Sequence, residues 1–166
     1  GREHPLCLSA TNCFEQSYMD VDGDSATMAE ACALLSAIGR IPVKQEYAMT
    51  GSLDQRGNVQ AVGGINEKIE GFYQVCKSRG IDKGPYSVII PDTNSKDLML
   101  NDEVLAAVEH GAFRVYTAKT LEEAMELVTG RDWDDGEWSI TRAVTEHLRE
   151  LRKVYLAGLP GHTTVA

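Results

Sequence analysis

Apolar and polar positions divide the chain into short blocks. Residues Leu6 to Phe14 mix apolar and small side chains, which predicts a strand, and the polar run from Glu15 to Gly23 predicts a loop. From Ser25 to Ile38 the segment SATMAEACALLSAI carries Glu30 as its one charge and has neither Gly nor Pro. A segment apolar on nearly every face predicts a buried helix. Asp24 is placed to cap its start and Gly39 to stop it. Tyr47 to Leu53 and Asn58 to Val62 read as two strands of a hairpin around Asp54-Gln55-Arg56-Gly57. Gly63-Gly64 breaks the chain before a helix over Asn66 to Ser78. Ser87 to Ile90 is a short buried strand ended by Pro91, and Asn101 to Glu109 is helical. Phe113 to Thr117 is a strand, and Leu121 to Val128 an amphipathic helix. Strands alternating with helices predict an α/β architecture, a layered sheet with helices packed on it.

After Gly130 the pattern changes. Arg131 to Glu137 contains Asp132, Asp134, Asp135 and Glu137 and reads as an acidic connector. Thr141 to Leu156 is a charged amphipathic helix with Val144, Leu148, Leu151 and Tyr155 on one stripe, suited to docking on the domain or on a neighbour. The expected division is a domain over 1–130 and an extension over 131–166. At 166 residues the chain suits one globular domain. A domain of this size buries roughly 70% of its unfolded surface and folds without metal or disulfide.

Charge narrows the partners. With 25 acidic and 16 basic residues the formal charge is −9. No run of Lys or Arg exceeds two residues, so no basic stripe is available to track phosphates and no nucleic-acid contact is expected. No stretch approaches the ~18 apolar residues of a membrane span. The start, Gly1-Arg2-Glu3-His4, has no leader pattern and reads as a boundary inside a longer protein. Cys7, Cys13, Cys32 and Cys76 form no C-x-x-C pair and are expected as buried free thiols, which fits a reducing compartment such as the cytoplasm. His4, His110, His147 and His162 lie too far apart for a metal set.

Three places can carry chemistry. Asp22-Gly23-Asp24-Ser25-Ala26 puts a serine at a helix start, where backbone N–H groups of Gly23, Ser25 and Ala26 are available to an oxyanion. Asp and Ser at such a position also serve simply as caps. In the helix after Gly64, Ile65, Ile69, Phe72 and Cys76 form an apolar face, and Lys68 sits at its edge. Desolvation there would lower the amine pKa and let it act as a base, whereas a lysine that keeps its head in water would do neither. In Met49-Thr50-Gly51 the threonine hydroxyl can orient an amine, or Thr50 can be only a β-branched strand residue.

The order of these motifs resembles the proteolytic domain of the Lon protease family. That family carries D-G-x-S-A, then M-T-G-x-x-x-x-x-G, then G-G-x-x-E-K. Here these stand as Asp22 to Ala26, as Met49-Thr50-Gly51 followed by Gly57, and as Gly63-Gly64-Ile65-Asn66-Glu67-Lys68. Val88-Ile89-Ile90-Pro91, with Asn94 and Lys96-Asp97-Leu98 behind it, is similar to a further family segment, so the resemblance runs over about residues 6 to 130. It implies the Lon proteolytic-domain fold, of the ribosomal protein S5 domain 2-like type. It also implies a serine endopeptidase with Ser25 as nucleophile and Lys68 as general base. Asp22 and Thr50 inherit supporting roles, and unfolded proteins are the implied substrates of a six-subunit ring.

Two departures qualify the likeness. Many Lon enzymes have proline before the serine, and this chain has Asp24, which with Phe14-Glu15-Gln16-Ser17-Tyr18 resembles the B-type branch. A carboxylate facing the dyad would raise the lysine pKa and oppose activation. The chain also lacks G-x-x-x-x-G-K-[ST], so no cofactor is expected in this domain, and ATP with Mg would be used by an ATPase module elsewhere. A Ser–Lys amidase or esterase acting on small molecules, and a non-catalytic Lon-like scaffold ring, are the alternatives. A cysteine hydrolase would need a histidine beside Cys32 or Cys76, and none is expected there.

Overall fold

The run YSVIIP has apolar residues at successive positions, the pattern of a strand covered on both faces. In the computed structural model, which describes residues 8–13, 22–80 and 84–158, this run is the middle strand of a three-stranded parallel sheet. Numbered in chain order, the strands are β1 (Tyr47–Met49), β2 (Ser52–Leu53), β3 (Val59–Gln60), β4 (Tyr86–Pro91) and β5 (Phe113–Ala118). The helices are α1 (Thr27–Gly39), α2 (Ile65–Ser78), α3 (Asp102–Glu109), α4 (Leu121–Thr129) and α5 (Ile140–Ala157), with a 3-10 segment over Asp92–Asp97. The sheet order is β1-β4-β5, with Tyr47 opposite Ser87, Met49 opposite Ile89 and Tyr86 opposite Phe113.

Successive side chains of a strand point to opposite faces, and β4 divides the core accordingly. Ile89 packs on one side with Met28 and Cys32 of α1, Met125 and Val128 of α4, and Ile140 of α5. Val88 and Ile90 pack on the other with Ile65, Ile69 and Tyr73 of α2 and Val104 of α3. β5 follows the same rule, sending Phe113 and Val115 to the α2 side and Tyr116 and Ala118 to the α1 side. In β1, Tyr47 and Met49 join the α1 side. Period two therefore turns Ala48 and Thr50 toward α2, where Lys68 lies.

Helix starts follow side-chain capping in three cases. Asn101, Thr120 and Ser139 each accept from a backbone N–H of the first turn, at Val104, Glu123 and Arg142. The charged helix read as a tail docks on α1 through Val144 and its neighbours. Its stripe ends before Tyr155, which is exposed along with Val154.

Four expectations are corrected. The strand expected over Leu6 to Phe14 is absent at 8–13, which has no regular structure; Leu6, Cys7 and Phe14 lie outside the described residues, as does most of the Glu15 to Gly23 loop. The single hairpin is two units. β1 pairs with β4, the chain turns at Thr50-Gly51, and β2 then pairs antiparallel with β3. Gly51 allows that turn because a Cβ there would meet Met28 Cε and Val59 Cγ1 at 3.1 Å. α1 is only half covered: Met28 and Cys32 are buried, but Ala33 and Ala37 are exposed. Alanine exposes too little apolar area to force full burial. Finally, the left-handed C-cap of α1 is Arg40, at φ 52°, and not Gly39. Gly39 stays helical, where a side chain would press on Ile41 and on Val144 of α5.

Candidate active site

Ser25 sits in the turn that leads into α1, which begins at Thr27. Two strong ties fix this turn to the end of β1: the Gly51 N–H donates to the Ser25 carbonyl at 2.8 Å, and the Met28 N–H donates to the Gly51 carbonyl at 3.0 Å. The serine hydroxyl is thus carried at the C-terminal end of an edge strand of a parallel sheet, the region where α/β folds place their ligand sites.

Lys68 arrives from the opposite layer. Gly64 enters α2 in a left-handed conformation, φ 65°, which glycine adopts without strain. Ile65, Ile69, Tyr73 and Cys76 are buried against the sheet. One residue before Ile69 and four before Phe72, Lys68 is half-buried.

Thr50 joins the two. Its side chain is buried; its hydroxyl donates to the Ser25 carbonyl at 3.1 Å and accepts from Lys68 Nζ at 3.5 Å. A hydroxyl has one proton and two lone pairs, so both bonds can be made at once. Ser25, Thr50 and Lys68, with Ala26, Ala48, Met49, Phe72 and Val88, line one cleft of about 310 Å³. Lysine is the only ionisable group in that lining, and among the described residues no carboxylate pairs with it. No direct hydrogen bond joins the Ser25 hydroxyl to the Lys68 amine; in unliganded enzymes such bonds often tighten only with substrate bound.

The backbone donors are fewer than the helix start promised. Thr27 N–H is taken by the Asp24 carbonyl at 3.0 Å and Met28 N–H by Gly51. The N–H groups of Gly23, Asp24, Ser25 and Ala26 donate to no acceptor among the described residues.

Asp24 does not cap α1 with its side chain. The N-cap is Ala26, and Asp24 Oδ2 instead accepts from the Ser52 hydroxyl at 2.8 Å. Its carboxylate makes no contact with Lys68. Asp22 is exposed and makes no hydrogen bond to Ser25, Thr50 or Lys68. Cys32 and Cys76 are buried, and burial pushes both thiols up, Cys32 to about 12; Cys13 is exposed, contrary to expectation. No metal-ligand cluster occurs among the described residues, and none of their helices is long and apolar enough to cross a membrane.

Bonds at two residues near the site escape a reading of the sequence, which assigns neither residue a role. Ser52 follows the M-T-G segment, but nothing in a lone serine announces its bond to a residue 28 positions earlier. Buried Asn94 accepts from Val62 N–H at 2.9 Å and donates to the Val62 carbonyl at 3.2 Å, clamping the segment that leads to Gly63-Gly64 and Lys68. Phe72, expected on the buried face of α2, is half-buried and lines the cleft, and Tyr73 takes the buried place instead.

Comparison with known proteins places these features in context. Residues 16–130 match the family model of the Lon protease (S16) C-terminal proteolytic domain. A putative Lon protease homolog of Escherichia coli (strain K12) is 44% identical over 149 residues, 89% of this chain and 25% of that protein. A putative Lon protease homolog of Haemophilus influenzae is 46% identical over 146 residues, 88% of this chain and 24% of that protein. An archaeal Lon protease of Methanocaldococcus jannaschii is 43% identical over 119 residues, 72% of this chain and 16% of that protein. The chain therefore spans a quarter or less of the length of these curated relatives.

Proposed function

The chain belongs to the Lon protease family, and from that premise we propose that it is the serine endopeptidase domain of a larger ATP-dependent protease, with Ser25 as nucleophile and Lys68 as general base. The observation that carries this reading is the single cleft in which the Thr50 hydroxyl is bonded to Lys68 and to the backbone of Ser25.

The chemistry is acyl transfer. Lys68, as the free amine, takes the proton of the Ser25 hydroxyl while the oxygen attacks a peptide carbonyl. Backbone N–H groups at Gly23, Ser25 and Ala26 hold the oxyanion. As the C–N bond breaks, the Lys68 ammonium returns its proton to the departing amine. Water then attacks the ester, giving its proton to Lys68, and Ser25 leaves with that proton. Thr50 keeps the amine pointed along the cleft; the supporting role that the family resemblance gives Asp22 has no bond to Ser25, Thr50 or Lys68 behind it.

The remaining partners follow from family and length. Substrates are unfolded or flexible proteins, delivered by an ATPase module outside this chain that uses ATP and Mg. Six copies form the ring, and the free buried thiols of Cys32 and Cys76 suit a cytoplasmic setting. A second reading, a scaffold ring with a mis-set dyad, draws on the absence of a direct Ser25–Lys68 bond.

Ser25→Ala and Lys68→Ala should each lower cleavage of casein or a fluorogenic peptide by at least about 10³-fold with unchanged folding. A serine-reactive fluorophosphonate, read by intact mass, should add one label to the wild-type chain and none to Ser25→Ala. Wild-type chain that takes no label favours the scaffold. Fast turnover of small acyl esters with no cleavage of casein favours an amidase or esterase.

A further inference from the structure

We infer that Ser52 is a positioning residue for the nucleophile, acting through Asp24; this rests on the hydrolase reading above. Ser52 opens β2 and is 4% exposed, a setting in which a hydroxyl must find a partner. Its partner is the carboxylate of Asp24, the residue immediately before Ser25. A hydrogen bond to an ionised carboxylate is among the stronger kinds a hydroxyl can make.

The bond completes a clamp. The peptide plane after Ser25 is held by Gly51 N–H and Thr50 Oγ1, both on the Ser25 carbonyl. The plane before it ends in the Asp24 carbonyl, which accepts from the Thr27 N–H at 3.0 Å and the Thr27 hydroxyl at 2.6 Å. Thr27 belongs to the same turn and moves with it. Among the described residues, Ser52 is what fastens Asp24 to the hairpin. Residues 50, 51 and 52 thus grip residues 24 and 25, holding the backbone that carries the serine side chain.

The same bond disposes of the carboxylate. Asp24 is drawn toward β2, and the cleft lining keeps Lys68 as its one ionisable group. Released, the carboxylate would hang beside the dyad and compete for the lysine. Ser52 itself is absent from the cleft lining, so its loss should misplace the reacting atoms without removing a substrate contact.

Steady-state kinetics on a fluorogenic peptide tests this with Ser52→Ala, Ser52→Thr, Asp24→Ala and the Ser52→Ala/Asp24→Ala pair. Misaligned reacting groups cost up to about a hundredfold, so Ser52→Ala should lower kcat by about tenfold or more with KM within about twofold. Ser52→Thr, which keeps the hydroxyl, should recover most of that loss. The double variant should fall no further than the worse single one, because the two side chains act through one bond. If Ser52→Ala fails to fold, Asp24→Ala, altered at an exposed residue, carries the test with the same expected loss in kcat. Wild-type kcat in Ser52→Ala or Asp24→Ala, or losses that multiply in the pair, overturns the role of Ser52. Fluorophosphonate labelling separates the two levels. An unlabelled wild-type chain overturns the hydrolase reading, whereas a labelled wild type with unaltered Ser52→Ala kinetics overturns only the Ser52 assignment.

Discussion

Cys32 stands in the core beneath α1, and burial raises its thiol from an ordinary value of 9.0 to about 12. Below pH 9 the thiol is protonated in both folded and unfolded chains, so it adds no pH dependence to stability. Above pH 9 the unfolded chain releases the proton while the folded chain keeps it, and deprotonation favours unfolding. Each pH unit in that window should remove about 1.4 kcal/mol through this residue. Urea denaturation at pH 8 and pH 10 should show the slope in the wild type and a shallower one in Cys32→Ala; equal slopes would contradict it. Other residues were less readable. Thr50 in a strand says nothing by itself, because its meaning lies in two bonds, one to a carbonyl 25 positions away and one to an amine 18 positions away. Asp24 matched the chemistry of a cap, but a carboxylate makes the stronger bond it can reach, and Ser52 was within reach.

At the scale of elements, local pattern gave the right bounds for most elements with a face to bury. The helices at Asn66, Asn101, Leu121 and Thr141 and the strands at Ser87 and Phe113 lie within a residue or two of their expected bounds. Their periodicity reports burial, and burial is what fixes them. The hairpin was misread because Tyr47 to Leu53 keeps one apolar pattern across a turn that changes partner strands. That turn depends on Gly51 lying against Met28, a contact between distant segments. α5 illustrates packing in the other direction. Ile140 opens the helix and is fully buried in the core that also holds Met28, Met125 and Val128. Ile140→Ala should destabilise the chain by about 2–4 kcal/mol, since the cavity lies between three helices and cannot collapse freely. Denaturant unfolding reads this directly, and a loss below about 1 kcal/mol would mean that α5 is dispensable to the core.

For the whole molecule, the two layers on either side of the sheet explain why a serine and a lysine 43 positions apart in number share one cleft. β1 ends between them, α1 brings Ser25 from one face, and α2 brings Lys68 from the other. The resemblance of three spaced motifs made this pairing legible in the sequence, whereas their periodicity alone could not, since it reports faces and not distances. The acidic balance, −9 in formal charge, bears on none of this, since Lys68 is the one ionisable group in the cleft lining.

The central claim is that Lys68 acts as a base and not merely as a charge. Lys68→Arg keeps a cation and a donor for Thr50, but a guanidinium does not give up its proton in a protein. Peptidase turnover of Lys68→Arg beside the wild type is the most direct measurement. A fall of at least about 10³-fold with an unchanged unfolding midpoint is the predicted result. Turnover within about tenfold of wild type would contradict it, because a group that cannot accept the serine proton would then be sufficient.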